Sequence, residues 1–449
     1  MLALLLCIIA GLGAYIAGRR ALWAGVAVAL AAGYGYGIVR ANLITPFSHF
    51  IFDSGIVGVY ASQFLGKSKK QPGMPADSTL RIWVAVLCAW PIFLLFMPFQ
   101  PLIVSIVGLR AAIFLFPSIL LGSRLQSRDL KFLALSMAVL NIGALALGVM
   151  EYFRGIEPFF PPGPMTVTIY ASQDSGGGSR IPAAFQNAHT YAGVMVDTIP
   201  FLFGCWAQRS GTKKEKLLLL LGMGAAFFGV LMAATRTGMI AGLLVAALAA
   251  TSGKMGGLKR WIWALAIGGV ILAAVNNNRW QRYKELDSSS VTERIAGSVN
   301  RRFFEILVEY PMGNGLGGGG TSIPYFLASR VNRPVGAENE YARILLEEGV
   351  IGLVIWSAFA IWFMTNRSGF VKDDWFAGRR MAWWLSTFSL VSASLGIGLL
   401  SSVPNSFLFL LTLGWVSVRP RAEQVSAPRV VRRMAVPAGG AVWAHRLPL

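Results

Sequence analysis

The sequence predicts an all-α protein, a polytopic transmembrane helical bundle, and three observations support that prediction. Hydrophobic residues make up 55% of the 449 residues, and charged residues make up only 13%. Apolar runs of about 15–20 residues, the length that crosses the hydrocarbon core of a bilayer, recur from Leu4 to Val418. Between these runs no stretch is long enough to fold as a separate soluble domain. We therefore expect one transmembrane domain over 1–418, followed by a basic cytoplasmic tail over 419–449.

The apolar segments number about thirteen, and twelve is an equally good count because the third segment could be re-entrant. In chain order they are Leu4–Ala17, Ala21–Val39, Phe50–Leu65, Ile82–Met97, Leu102–Leu121, Phe132–Met150, Tyr191–Ala207, Leu217–Ala234, Met239–Ala250, Trp261–Val275, Val350–Met364, Met381–Leu400 and Phe407–Val418. The first segment lacks a positively charged region before it and is followed by Arg19-Arg20. This pattern indicates a retained helix rather than a cleaved signal peptide.

The lysines are distributed unevenly between the loops, and this bias indicates the orientation of the chain. The loops on one side carry Lys67, Lys69, Lys70, Lys131, Lys213, Lys214, Lys216, Lys254, Lys259 and Lys372. The positive-inside rule places these loops and the arginine-rich tail in the cytoplasm, which leaves Lys284 on the outer side. Because this placement accounts for most of the net charge of +20, we expect no nucleic-acid partner. We expect a multi-pass protein of a bacterial inner membrane with a cytoplasmic C-terminus.

Two long segments, 151–190 and 276–346, then face the periplasm or the outside, and we expect the second to be partly helical. Long polar loops on a rigid scaffold are where enzymes commonly place their chemistry. Arginine is frequent on this side, where the topology rule disfavours it: Arg154, Arg180, Arg236, Arg279, Arg282, Arg294, Arg301, Arg302, Arg330, Arg333 and Arg343. Guanidinium groups match phosphate geometry, so the pattern indicates an anionic ligand. Pairing with acidic residues of the same loop is the alternative for any single arginine there.

Three stretches carry a resemblance to a known family. The first, 180–192, has an arginine, then a phenylalanine and an asparagine-rich turn that opens a helix; the second is the turn Ala234-Thr-Arg236-Thr-Gly238. The third, 293–352, has a proline before a Gly-x-Gly turn, then a short polar motif and a helix of Glu-x-Gly-x-x-Gly character. Their order and spacing resemble those of the O-antigen ligase and polymerase superfamily, membrane glycosyltransferases of the GT-C type. Ligases of that family have a histidine where this chain has Glu338, which favours a polymerase.

The resemblance implies a function at the outer face of the membrane. A polymerase of this family joins polyprenyl-pyrophosphate-linked oligosaccharide repeat units into a surface polysaccharide or exopolysaccharide. The alternatives are a ligase that transfers the glycan to a lipid or protein acceptor and, from a different class, a transporter or flippase of the lipid-linked oligosaccharide. A scaffold for an envelope assembly complex is a third possibility. The expected partners are the lipid-linked glycan, membrane lipid and other proteins of envelope polysaccharide assembly.

Sugar transfer from a pyrophosphate requires cations that neutralise the leaving group, and arginines can supply them without a metal. Arg180, Arg236, Arg110 and Arg294 are the pyrophosphate candidates. Arg236 could instead be an arginine that extends to the membrane interface, and Arg110 could pair with a buried polar group such as Asp53 or Asn141. The sequence has no Asp-x-Asp element in an outer loop, no CxxC motif and only three scattered cysteines, so we expect neither metal nor cofactor.

The reaction also needs a base that accepts the proton of the acceptor hydroxyl. Glu338 is the first candidate because it precedes a predicted helix that begins near Asn339, although an acidic residue there could equally interact with the helix dipole. His189 opens another helix on the same side and titrates near neutrality, so it is the second candidate. Asn339, Tyr341 and Arg343 are predicted to position the acceptor or the loop. The glycine run 315–320 is predicted to be a hinge of the outer loop.

Overall fold

A computed structural model describes residues 1–65, 78–174, 180–252, 302–320, 323–337, 339–396 and 398–419. These residues fold as helices joined by loops, with no β-strand in the described ranges, and they belong to one unit, Met1–Arg419. The predicted all-α class is therefore confirmed. Arg294 and Glu338 lie outside the described residues, as does the predicted apolar segment Trp261–Val275.

The described part of the chain contains fifteen α-helices. They are α1 (Leu2–Arg20), α2 (Leu22–Asn42), α3 (Ile51–Tyr60), α4 (Ser78–Leu94), α5 (Leu102–Ile113), α6 (Pro117–Gly122), α7 (Ser127–Arg154), α8 (Val167–Asp174), α9 (Ala188–Trp206), α10 (Lys213–Ala233), α11 (Arg236–Thr251), α12 (Arg302–Glu309), α13 (Glu340–Thr365), α14 (Phe376–Ser392) and α15 (Asn405–Ser417). Short 3-10 turns occupy Pro46–Phe50 and Tyr325–Arg330, and a π-helical turn, Ala61–Leu65, continues α3.

Six helical stretches are long and apolar enough to cross a membrane, which confirms a multi-pass membrane protein. They are Leu2–Arg20, Leu22–Asn42, Leu102–Gly122, Ser127–Arg154, Lys213–Ala233 and Glu340–Thr365. Three shorter helices, α4, α11 and α15, are also apolar. Apart from Trp261–Val275, every predicted segment overlaps a helix, although two of them differ in detail. The segment Leu102–Leu121 divides into α5 and α6, and the helix predicted to reach Leu400 ends at Ser392.

Local capping explains where several helices begin. Asn187 precedes α9, and its side-chain oxygen accepts a hydrogen bond from the Thr190 amide at 2.8 Å. Thr212 and Glu215 form a reciprocal capping box at the start of α10. Each cap satisfies backbone N–H groups that have no partner inside the helix. Helix α13 has in addition an internal break at Gly349, whose φ of 71° favours glycine.

The last helix, α15, lies in the core of the bundle. Residues 406–417 are all buried, so this helix contacts protein on every face. Its thirteen residues extend about 20 Å, less than a bilayer core. It packs tightly on α6, because a methyl group on Gly414 would lie 1.9 Å from the carbonyl oxygen of Ile119. The stacked rings of Trp415 and Phe201, with centroids 4.7 Å apart, connect α15 to α9.

The loops gather at two ends of the bundle, which we name the lysine end and the loop end. The lysine end comprises 18–24, 62–65, 122–132, 204–216 and 366–379, and the loop end comprises 36–50, 97–110, 151–160, 180–193, 234–238, 310–320, 323–337, 339–349 and 393–406. At the lysine end, Lys131 pairs with Glu215 at 2.7 Å. At the loop end, Gln100 donates to the carbonyl oxygen of Asn314 at 2.8 Å. Successive helices therefore carry their connections to opposite ends, as the alternating lysines predict.

Candidate functional site

Most of the sequence-predicted site residues that the structure describes lie at the loop end, at the ends of helices. Arg110 lies in the last turn of α5, His189 in the first turn of α9, and Arg236 is the first residue of α11. Charged and titratable side chains from several helices therefore lie at this one end of the bundle.

Arg110 forms an ion pair with Asp53 of α3. The Nε of Arg110 donates to the Asp53 Oδ2 at 2.5 Å, and Nη2 contacts the same oxygen. The guanidinium also lies 5.9 Å from the ring centroid of Phe50. The structure therefore shows the pairing with Asp53 that was the alternative to donor binding. The Arg110 side chain remains 32% exposed, so binding of a pyrophosphate by the same guanidinium stays a prediction.

His49 lies beside this pair and was not identified from the sequence. Its carbonyl oxygen accepts a hydrogen bond from the Tyr36 hydroxyl at 3.4 Å, and its ring meets Phe326 edge-on at 5.8 Å. Burial, together with the positive charges of Arg40 and Arg110, lowers the pKa of the His49 imidazole to about 4. His49 is therefore neutral at physiological pH.

Arg40, at the end of α2, joins these residues and was also missed. Its Nη1 lies 3.5 Å from Gln186 Oε1, and its guanidinium lies over the Tyr36 ring at 5.7 Å. We name the two charged residues, Arg40 and Arg110, the cationic group, and the neutral His49 lies beside them. The sequence did contain a signal for Arg40, because this arginine follows an apolar segment on the side where the topology rule disfavours positive charge.

The segment before α9, which carries the first family-like motif, is a packed part of the core. Phe185 is buried and stacks on Tyr191 with ring centroids 5.5 Å apart. The Glu151 carboxylate accepts a hydrogen bond from the Ala183 amide at 2.9 Å and so ties this segment to α7. Arg180 is half-buried at the start of the segment, and His189 is exposed. The motif therefore presents Arg180 and His189 from a rigid base.

Arg236 follows a tight turn at which Ala234 adopts a left-handed conformation with φ of 50°. The start of α11 packs closely on α9, because a methyl group on Gly238 would lie 2.7 Å from the Ala192 Cβ. Arg236 is half-buried there, at the same end of α9 as His189. The structure thus places two predicted site residues on neighbouring helix starts, and Arg236 begins a helix as the sequence predicts.

The start of α13 holds three further predicted residues. Asn339 is the N-cap, and its side-chain oxygen accepts from the Ala342 amide at 2.7 Å. The Tyr341 hydroxyl donates to the Leu390 carbonyl oxygen at 3.0 Å. Asn339 therefore caps the beginning of α13, and Tyr341 connects it to α14. The helix begins where the sequence predicts, directly after Glu338.

Arg343 is only 1% exposed and is enclosed by carboxylates. It donates from Nε and Nη2 to Glu340 Oε1, at 2.8 and 2.6 Å, and from Nη1 to Glu347 Oε2 at 2.7 Å. The other oxygen of Glu340 accepts from the Gly398 amide at 2.8 Å. Arg343 therefore positions a loop through Glu340, which fits the positioning role predicted for it, and its burial argues against contact with a bulky acceptor.

The glycine run 315–320, which is predicted to be a hinge, is a closely packed loop. Residues 315–319 are buried against α5, where a methyl group on Gly108 would lie 2.3 Å from the Gly317 nitrogen. On the other side of the run, a methyl group on Gly319 would lie 3.0 Å from the Glu347 Oε1. The glycines here allow close packing of a loop between two helices, and movement of this run as a hinge stays a prediction.

The four arginines of the loop end, Arg40, Arg110, Arg180 and Arg236, come from four different segments. No protein-family model matches the chain, and no curated protein matches it.

Proposed function

We propose that this protein is a metal-independent membrane glycosyltransferase that polymerises polyprenyl-pyrophosphate-linked oligosaccharide repeat units. One observation carries the proposal most directly. Four arginines, Arg40, Arg110, Arg180 and Arg236, lie at the loop end, where the positive-inside rule disfavours positive charge, whereas the described lysines lie at the lysine end. The proposed reaction takes place at the outer face of a bacterial inner membrane.

The chemistry follows from the charge that develops on the leaving pyrophosphate. Guanidinium groups that are already held in place can stabilise this charge as the glycosidic bond to the donor breaks. The half-buried Arg236 and Arg180 are the proposed pyrophosphate ligands, and Arg294 is a further proposed ligand. A polyprenyl chain would remain in the lipid beside the bundle while its phosphates reach the loop end.

The proposed base accepts the proton of the acceptor hydroxyl as the new glycosidic bond forms. Glu338 remains the first proposal because of its position before Asn339, and His189 is the second because it is exposed at the start of α9. His49 is the weaker choice because a low pKa makes the imidazole a weak proton acceptor.

The proposal is tested with purified protein and a polyprenyl-pyrophosphate oligosaccharide. A polymerase yields a ladder of longer products, and a ligase yields a glycan on an added lipid or protein acceptor. We expect Arg236→Ala to lower the rate about a hundredfold, since loss of a charged contact to the leaving group removes about 2–4 kcal/mol of transition-state stabilisation. Arg236→Lys should recover little of the rate. The matched control is Arg209→Ala, at the lysine end, which should stay active; equal activity of all three variants contradicts the proposal.

One observation favours the transporter as a second candidate. Asp197 lies within α9, is only 8% exposed, and has neither a hydrogen-bond partner nor a paired cation among the described residues. An ionisable residue inside the bilayer often marks the path of an ion or substrate. Movement of lipid-linked oligosaccharide across vesicles that depends on Asp197, without new glycosidic bonds, would identify a transporter.

A further inference from the structure

A narrow cavity lies beside the first half of α13, below the loop end. It is lined by Arg343, Glu348, Gly352 and Trp356 of α13 and by apolar side chains from the neighbouring elements. Its free volume has room for about one water molecule, so it cannot hold a sugar or a lipid head group.

The carboxyl group of Glu348 reaches this cavity because residue 352 is a glycine. A methyl group on Gly352 would lie 2.8 Å from Glu348 Oε2 and 2.3 Å from Glu348 Cβ. The Glu348 side chain therefore lies over Gly352, toward Trp356 one turn further along the helix. Trp90 closes the cavity from α4, and its indole N–H donates to the backbone oxygen of Glu348 at 2.8 Å.

Trp356 also lines this cavity and carries a buried donor. Its side chain is 2% exposed, and its indole N–H has no acceptor among the residues that the structure describes. Indole nitrogen can only donate, and a buried donor that lacks an acceptor is costly. The group that completes this site must therefore accept a hydrogen bond.

The charges around Arg343 indicate the protonation state of the Glu348 carboxyl group. Three carboxyl groups, those of Glu340, Glu347 and Glu348, surround one guanidinium, whose hydrogen bonds go to the first two. Leu87, Trp90, Ala112, Phe116 and Leu400, which line the cavity from α4, from α5 and α6 and from the loop before α15, bring no charge. An additional buried carboxylate without a cation is strongly disfavoured, and a bound proton removes the charge. A metal cation does not suit the cavity, because the Trp356 N–H and the Arg343 guanidinium both present positive hydrogens.

We propose that this cavity binds one water molecule, which accepts the N–H of Trp356 and hydrogen-bonds to a protonated Glu348. Water fits because it can accept from the indole and bond to the carboxyl group at the same time. The protein thus contains a proton-binding site on α13 that is separate from the cationic group and independent of the proposed sugar transfer.

Infrared spectra of the purified full-length protein in lipid nanodiscs, recorded in H2O and D2O at neutral pH, test this site. We expect a C=O band of a protonated carboxyl group that shifts in D2O and is lost in Glu348→Gln. Trp356→Phe should keep this band but move it, because the water loses its donor. The control Glu309→Gln, an exposed carboxyl, should leave the band unchanged. If the band remains in Glu348→Gln, Glu348 does not carry the proton. If the band does not move in Trp356→Phe, no water connects the two side chains. Size-exclusion profiles verify that each variant is folded.

Discussion

At the residue scale, Arg343 shows how strongly a buried charge depends on its partners. Its guanidinium is held by Glu340 and Glu347, and both glutamates are fully buried. We expect Arg343→Met to destabilise the protein by about 3–5 kcal/mol, because two buried carboxylates lose their cation. Thermal unfolding in detergent measures this loss.

A second variant separates charge from packing at the same site. The triple variant Arg343→Met, Glu340→Gln, Glu347→Gln removes all three charges, so it should recover part of the stability that Arg343→Met loses. If the triple variant is as unstable as Arg343→Met, lost contacts rather than unpaired carboxylates are responsible.

His49 makes the stability depend on pH. The pKa of its imidazole falls from 6.5 to about 4 on folding, so the unfolded chain binds more protons between these two pH values. Stability should therefore decrease as the pH is lowered through this window. His49→Phe cannot titrate and should lose less stability between pH 6.5 and pH 4, as measured by thermal midpoints. Phe47→Leu, on the same turn, is the control that should keep the loss of the parent protein; equal acid sensitivity of His49→Phe and the parent contradicts the assignment.

The sequence could predict the residue types at the loop end better than their contacts. Arg110 was predicted either to bind the donor or to pair with a buried group such as Asp53 or Asn141, and the structure selects Asp53 of α3. Arg40 and His49 were missed because their proximity depends on how three separate segments meet. Hydropathy and residue spacing carry no information on tertiary contacts between distant segments.

At the element scale, close helix contacts depend on glycine. Gly414 of α15 lies against the backbone of α6, and a methyl group there would overlap the carbonyl oxygen of Ile119 at 1.9 Å. We expect Gly414→Ala to destabilise the protein by about 1–3 kcal/mol or more through overpacking. Gly143→Ala, in α7, is the matched control: no atom lies within 4 Å of the added methyl group, so helix propensity should make it neutral or stabilising. The melting temperatures of the two variants measure this difference, and equal values would contradict the close contact at Gly414.

Helix starts were predicted more successfully than helix interruptions. Asn339 and Asn187 are polar residues that precede apolar helices, and both are caps in the structure. The end of α14 at Ser392 was missed because 393–400 is apolar, although it contains Gly396 and Gly398. There the carbonyl oxygens of Ala393 and Gly396 accept from the Glu340 amide, a contact between distant segments. Local apolarity cannot distinguish such a loop from a helix.

At the scale of the whole molecule, the two ends of the bundle give a direct test of topology. Ser329 is exposed at the loop end, and Ser210 is exposed at the lysine end. Single cysteines are introduced at each position after Cys7, Cys88 and Cys205 have been replaced by alanine. Because of the positive-inside rule, we expect an impermeant thiol reagent added outside intact cells to label Ser329→Cys and not Ser210→Cys. The reverse labelling pattern would place the loop end in the cytoplasm.

The central position of α15 has a consequence for the biogenesis of the protein. The first three helices are neighbours in sequence and pack on one another, so they can assemble soon after they leave the ribosome. Helix α6, by contrast, cannot pack against α15 until that helix has been synthesised, almost three hundred residues later. Until translation is nearly complete, the surfaces that will enclose α15 have only lipid or other membrane proteins to contact. A chain that ends before residue 405 would therefore be inserted but incompletely assembled, a form that membrane quality control can recognise and degrade.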